Sequence, residues 1–338
     1  MRYAKVIGLV SALTLGVSAV NAHAADKRTL CVFDIIGTSG DTYNIMTDYK
    51  TAALNWGVDF DLKVYTDEKI AAEDLKAGQC DAAAITGIRA RAFNQYVGSL
   101  DSVGSLPTYE HVKQAVAVLS SGHPSINSKL RAGQYEVVGV APMGAAYLFV
   151  KDRTIDTVGE LSGKSISVME YDAAQAKMAS KVGMSPVMSD ITNFAGRFNN
   201  GSVDICFAPA LAYSALELYK GMQPNGGIVN YVLGQLTLQV LVRHDRFPEG
   251  YGDVSRKYML GQFDRAMRII ENADKEIDKK WWIHLPQADV ARYDEMLRES
   301  RIALRDEGIY DPEMMSLLRK IRCSKDATLA ECTAANPE

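Results

Sequence analysis

Apolar positions along this chain switch repeatedly between two periods. Val58–Tyr65 sets Val58, Phe60, Leu62 and Val64 against Asp59, Asp61 and Lys63, the alternation of a half-buried strand. Before it lie a short apolar run at Thr29–Phe33 and helical spacing from about Tyr43 to Trp56; after it, a helix near Ile70–Ala77 leads into the run Ala82–Ile85. The same order restarts downstream. A strand at Lys164–Met169 is followed by a helix over Asp172–Val182, a strand near Pro186, a helix through Phe194–Phe198 and a strand from Ile205. Between the halves, Tyr135–Ala141 and Ala145–Val150 read as two strands crossing the middle, and Leu236–Val242 reads as one more. From Val254 to about Arg322 the pattern is nearly all helical, with Trp281 and Trp282 expected to pack within a helix. Strands alternating with helices predict an α/β fold with two lobes, each a mostly parallel sheet flanked by helices.

One phrase is written in both halves. Gly78-Gln79-Cys80-Asp81 precedes Ala82–Ile85, and Gly201-Ser202-Val203-Asp204 precedes Ile205–Ala208. Each reads as a helix end, a glycine able to take the left-handed C-cap conformation, and an aspartate entering a buried strand. The expected partition is residues 25–141 for lobe 1 and 142–235 for lobe 2. A crossover strand and C-terminal helices follow over 236–322 and pack on both lobes, with a tail at 323–338. Hinges are expected near Ala141–Met143 and after Tyr231.

The chain has 338 residues, and its first 24 read as a signal peptide. Arg2 and Lys5 form a basic start, Val6–Val20 is mostly apolar, and Ala22-His23-Ala24 is a small-x-small cleavage site. Cleavage after Ala24 implies export through the inner membrane to the periplasm. No later stretch approaches the roughly 18–20 continuous apolar residues of a membrane span. A formal net charge of −4, more negative once Arg2 and Lys5 are removed, argues against nucleic acid as a partner. Five cysteines suit an oxidising compartment. The preferred pairing is Cys31 with Cys80 and Cys323 with Cys332, leaving Cys206 as a buried thiol, although sequence alone does not fix connectivity.

In open α/β sheets ligands sit beyond the carboxyl ends of the strands, where loops enter helices. Four such loops are legible: Asp34–Tyr43, with Thr38, Ser39 and Tyr43; Thr86–Arg89; Glu170–Asp172, with Tyr171; and Phe207–Ala210. Helix N-termini there favour anionic ligand groups, although at any one loop the polar residue could instead cap its own helix. Arg89 and Arg91, two apart on an expected helix, should not face the same way, and Arg89 is the better ligand-side cation. Gly37–Asp41 lacks the spacing and lysine of a phosphate loop. No nucleophile elbow, zinc helix or paired-cysteine motif occurs, so neither catalysis nor a cofactor or metal is expected.

Glu160-Leu-Ser-Gly-Lys-Ser-Ile-Ser-Val168 resembles the "D-L-x-G-x-K-I-R-V" strand of the TRAP-transporter periplasmic solute-binding proteins. The spacing onward to Gly183–Pro186 and Gly201–Asp204, and the long helical C-terminal third, are similar too. The closer resemblance is to a divergent AdeT-like branch, associated with aminoglycoside efflux. The resemblance implies a two-lobe, type II-like periplasmic binding protein. It also implies a ligand-binding arginine in that strand, where this chain has Ser167, and a second about twenty residues upstream, which falls on Tyr147. Serine cannot supply a fixed guanidinium fork for a carboxylate. A pocket built from Tyr43, Thr86, Tyr147, Ser167, Glu170 and Tyr171 suits a polar neutral or amine-bearing ligand, unless Arg89 replaces the missing charge.

The expected function is capture of a small molecule in an interlobe cleft by hinged closure, and its delivery to membrane transporter components by a monomeric protein. The alternative is a binding-protein fold that has lost its ligand and docks an envelope or efflux partner. A chain without membrane spans cannot itself be a pump.

Overall fold

The computed structural model describes residues 25–334; the expected signal peptide and its cleavage site, like residues 335–338, lie outside them. The strands are β1 (Asp26–Phe33), β2 (Val58–Tyr65), β3 (Ala82–Thr86), β4 (Arg131–Ala132), β5 (Tyr135–Val150), β6 (Ser165–Met169), β7 (Ser185–Ser189), β8 (Ile205–Pro209), β9 (Gly227–Arg243) and β10 (Trp282–Ile283). They form one sheet in the order β2-β1-β3-β9-β5-β8-β6-β7, with β10 added to β9 and β4 to β5. The triads β2-β1-β3 and β8-β6-β7 are parallel, as the repeated strand–helix order requires. The two long strands β5 and β9 run antiparallel between them and join the lobes.

Those long strands differ from the sequence expectation. Tyr135–Ala141 and Ala145–Val150 are one strand of 16 residues, and Leu236–Val242 is only the end of a 17-residue strand. Pro142 lacks a ladder N–H, and Gly144 adopts φ +107°, yet the break they suggest is absorbed as a register shift between Pro142 and Gly144. A second shift lies where Ala146 pairs with Gly234 but Leu148 pairs with Val229, so residues 230–233 bulge out of β9. Trp281 ends a single 3-10 turn, Lys279–Trp281, and Trp282 opens β10, so the pair does not pack within one helix; Trp282 pairs beside Ile228.

The repeated phrase acts identically in each half. Gly78 and Gly201 adopt φ +76° and +77°, the left-handed conformation that ends a helix. Asp81 then accepts the Thr29 N–H (2.7 Å), one residue before β1 begins to pair with β3, and pairs with Arg246 (2.7 Å). Asp204 accepts the Ser165 N–H at the start of β6 (2.8 Å) and pairs with Lys151. Each aspartate ties its own strand to the neighbouring one at the end where the two begin to pair. Cys31 and Cys80 are disulfide-bonded, tying β1 to the approach to β3, and Cys323 is bonded to Cys332. Cys206 is a buried free thiol, its pKa pushed up by burial.

The C-terminal helices bridge the halves. In Gln287–Asp306, Tyr293, Met296 and Leu297 pack with Ile166, Val168 and Ile205 of the second parallel triad's side. In Pro312–Lys325, Met314, Leu318 and Ile321 pack with Leu106, Val112 and Val116 beside the first.

Candidate functional site

The carboxyl ends of β3 and β6 point their loops at each other, and a layer of buried charge lies between them. After β3, the Thr86 hydroxyl caps a helix of only four residues, Gly87–Ala90. The Thr86 N–H donates to Glu68 Oε1 at 2.5 Å; Glu68 is fully buried. From the facing loop, the Tyr171 hydroxyl donates to Glu68 Oε2 at 3.1 Å. The Arg89 guanidinium lies over the Tyr171 ring, 3.3 Å from its centroid, with Nε 3.6 Å from Glu68 Oε2. Such a cation–π stack gains strength when desolvated. Burial raises the Glu68 pKa against the opposing bond from Thr86, the Arg89 charge and the Tyr171 hydroxyl.

Beside this group, Arg91 donates to Asp172 at 2.9 Å. Burial works against the Arg91 charge, but Asp172, Tyr310 and Asp101 together outweigh it and raise the pKa. Asp172 also caps its own helix through the Ala174 N–H (3.1 Å), so one carboxylate serves both lobes. Asp101 accepts the Thr237 N–H (2.9 Å) and hydroxyl (2.6 Å) from β9. Burial pushes its pKa up to about 7, against the lowering effect of those bonds and of Arg91. Gly87 leaves the space this needs: a Cβ there would stand 2.5 Å from both Asp101 and Thr237 side-chain oxygens. Glu170 and Lys69 close the rim at 3.4 Å.

Three carboxylates, Glu68, Asp101 and Asp172, thus face two guanidiniums, Arg89 and Arg91. The space they leave is small. A void of about 40 Å³ touches Asp101, Ala146, Asp172, Gln175 and Phe207. Outside it, a groove of about 430 Å³ is lined by Lys76, Arg89, Arg91, Phe93 and Tyr171. Among the described residues, Arg89 Nε, Gln175 Nε2 and Gln239 Oε1 are buried in or beside this layer without a hydrogen-bond partner. Arg89 Nε keeps its 3.6 Å ion pair with Glu68, while buried polar atoms such as the two glutamine groups are normally hydrogen-bonded.

Of the residues picked from sequence, Thr86, Arg89 and Tyr171 meet at Glu68, Glu170 is on the rim, and Phe207 lines the void. The others stand elsewhere. Thr38 and Ser39 are exposed on their turn, because Asp34 takes the capping role there, accepting the Ile36 (2.9 Å) and Tyr43 (3.1 Å) N–H groups. Tyr43 leans on the core between β1 and its helix. Tyr147 packs edge-on against Trp282, with ring centroids 5.1 Å apart, and burial raises its pKa. Ser167 is buried and donates to the Ser189 hydroxyl at 2.6 Å.

Arg91 corrects the helical-spacing expectation. The helix ends at Ala90, so the two-residue offset does not send Arg89 and Arg91 apart; both reach the opposite loop. Glu68, Asp101 and Asp172 were missed. On sequence Glu68 opens a surface-like helix and Asp172 is an ordinary N-cap, and only the facing of the two lobes gives them a shared role.

Comparison with known proteins gives this layer its setting. The "Solute-binding protein AdeT 1/2" family description matches residues 51–337. The chain is 44% identical over 307 residues to the "Probable solute-binding protein AdeT1" of Acinetobacter baumannii, covering 91% of this chain and all of that one. It shares its fold with a TRAP periplasmic solute-binding protein from Desulfovibrio salexigens with bound orotic acid (TM-score 0.72, 18% identity, 88% of this chain and 99% of that one). A TRAP periplasmic solute-binding protein from Ralstonia eutropha H16 with bound (S)-2-acetolactate is also similar (TM-score 0.71, 13% identity, 88% and 99%). The two-lobe α/β fold is therefore that of the TRAP-type binding proteins, and none of the described helices is long and apolar enough to cross a membrane. The chain belongs to the AdeT 1/2 family of solute-binding proteins, a non-enzymatic class.

Proposed function

We propose that this protein captures a small polar solute between its lobes in the periplasm and hands it to a membrane transporter. The observation that carries the reading is the layer of paired charges contributed from both sides. Arg89 to Tyr171, Arg91 to Asp172 and Lys69 to Glu170 all cross between the lobes. These contacts exist only when the lobes are together, so they set the energy of closure. Of the three register shifts between β5 and β9, those at Pro142–Gly144 and at residues 230–233 are taken in this reading as the hinges; the third lies at Val137–Gly139. A void of about 40 Å³ holds little more than a water molecule, so a solute enters an opened form and replaces some of these contacts.

The ligand class rests on Ser167. With no arginine at 167 there is no guanidinium fork at that position for a carboxylate, so a neutral or amine-bearing solute suits the site better than an organic acid. Calorimetric titration of polyols, primary amines and mono- and dicarboxylates tests this. A neutral or amine-bearing compound should bind saturably, and Glu68→Gln should weaken it. Binding confined to carboxylates would reverse the class.

The filled cleft favours a second reading, a fold that no longer takes a solute and docks an envelope partner instead. In that case no compound of the panel binds, and Glu68→Gln alters only stability.

A further inference from the structure

Gln175, which lines the void of about 40 Å³ in the closed cleft, keeps one buried atom without a hydrogen-bond partner, its Nε2. The local chain explains why. Asp172 caps helix Ala173–Lys181, and Gln175 stands three residues on, where a glutamine commonly reaches back to the N–H of the cap residue. Here that N–H already donates to the Met169 carbonyl at 2.9 Å. Gln175 reaches past it, and its Oε1 accepts the Met169 N–H at 2.8 Å. Only the amide oxygen can accept that bond, so the orientation of the amide is fixed and Nε2 is the end left over. The residue is 5% exposed, too little for outside water to serve it.

The other polar groups of the void are engaged unevenly. Both Asp101 oxygens are taken, Oδ2 by the Thr237 N–H and Oδ1 by its hydroxyl. The two bonds to Asp172, from Arg91 and from the Ala174 N–H, both fall on Oδ1, and Oδ2 accepts neither. The Tyr310 hydroxyl accepts the Val103 N–H at 3.4 Å. Ile88, Ala146, Phe207, Leu233 and Leu236 supply apolar wall. The void therefore offers an unused donor and an unused carboxylate oxygen on one helix start, in a space that suits a group of water or hydroxyl size.

That pairing separates ligand chemistries. An ammonium only donates, so it can serve Asp172 but leaves Nε2 unpaired. A carboxylate only accepts, so it can serve Nε2 but sets its charge against Asp172 and Asp101. A hydroxyl does both and carries no charge.

We propose that Gln175 and Asp172 form the subsite for a neutral hydroxyl end of the solute, with Gln175 Nε2 donating to the hydroxyl oxygen and the hydroxyl donating to Asp172 Oδ2. The carbon body then lies against the apolar wall at Phe207 and Leu236. The assignment rests on the solute-capture reading given above and narrows it: of the neutral and amine-bearing classes, Gln175 selects the neutral one.

The test titrates n-butanol, n-butylamine and butanoate, which share one carbon body, into the intact isotope-labelled protein. The side-chain amide resonances of Gln175 are followed alongside calorimetry. In wild type, n-butanol should shift those resonances and bind at least about tenfold more tightly than the other two. Gln175→Glu keeps an acceptor for the Met169 N–H and replaces the donor with a second acceptor. It should therefore reverse the order, favouring n-butylamine over n-butanol by at least about tenfold. A merely structural role for Gln175 would weaken all three together and leave the order unchanged, which overturns the proposal. Gln175 resonances that n-butanol does not move, or wild-type preference for n-butylamine or butanoate, also overturn it. If Gln175→Glu fails to fold, the wild-type order and the Gln175 resonances decide alone. Failure of the solute-capture reading looks different: no polyol, amine or carboxylate binds at all. Binding of any of these with the Gln175 resonances unmoved removes only the Gln175 subsite.

Discussion

Replacing Asp204 by asparagine gives the most quantitative check on how the repeated phrase works. Burial alone would raise the Asp204 pKa, but the ion pair with Lys151 and the bonds from the Ser165 N–H and hydroxyl overrule it and pull the carboxyl from 3.8 to about 2. A gap of that size corresponds to roughly 2.4 kcal/mol at about 1.36 kcal/mol per pH unit. The side chain is 20% exposed and Lys151 43%. Solvent screening trims the figure to about 1–2 kcal/mol. The folded pKa is depressed, so this stability is fully present above the unfolded value near 3.8 and is lost as pH falls through about 2. Urea unfolding of wild type and Asp204→Asn at several pH values reads it directly. The variant should be less stable by about 1–2 kcal/mol at pH 7, and the difference should shrink below pH 4 and vanish near pH 2. Equal stabilities at pH 7, or a gap that persists unchanged to pH 2, would refute the assignment of Asp204 as an ionised strand anchor.

Asp101 carries the opposite sign: its folded pKa is raised to about 7, so the fold loses stability as pH rises from about 4 to 7, and Asp101→Asn should flatten that part of a melting-temperature profile. Gly87→Ala places a methyl group 2.5 Å from the Asp101 and Thr237 oxygens and should cost about 1–3 kcal/mol in denaturant unfolding. Cys31→Ser/Cys80→Ser opens a loop with a sequence separation of 49 and should cost about 4 kcal/mol by the chain-entropy relation, read from urea midpoints at pH 7. Tyr171→Phe removes the hydroxyl donated to Glu68 while keeping the ring under Arg89, so it should loosen closure less than Arg89→Ala does.

Much of the architecture was legible in the sequence because it depends on local rules. A left-handed glycine followed by an aspartate, written twice, marked the same helix-to-strand entry in each half, and the period-two pattern of Val58–Tyr65 located β2. The long strands were harder. A proline and a glycine at 142 and 144 normally end a strand, and pairing with β9 is what carries β5 through them. Helical spacing at Arg89 and Arg91 misled for the related reason that a four-residue helix has no periodic face. Thr86, Arg89 and Tyr171 were found because strand ends and helix starts are visible in one dimension. Glu68, Asp101 and Asp172 were not, since their partners lie 18, 136 and 81 residues away along the chain.

The central claim is that the lobes open and close across the Glu68–Arg89–Tyr171 layer. Ile70 and Met188 are 48% and 53% exposed on opposite sides of it and can each carry a spin label through a non-natural amino acid, leaving the disulfides intact. Pulsed electron resonance then gives the interlobe distance distribution directly. The account predicts a short-distance population that gives way to a longer one in Arg89→Ala, and that grows in wild type as a neutral or amine-bearing solute is added. One narrow distance, the same in wild type, in Arg89→Ala and with every solute, would contradict it.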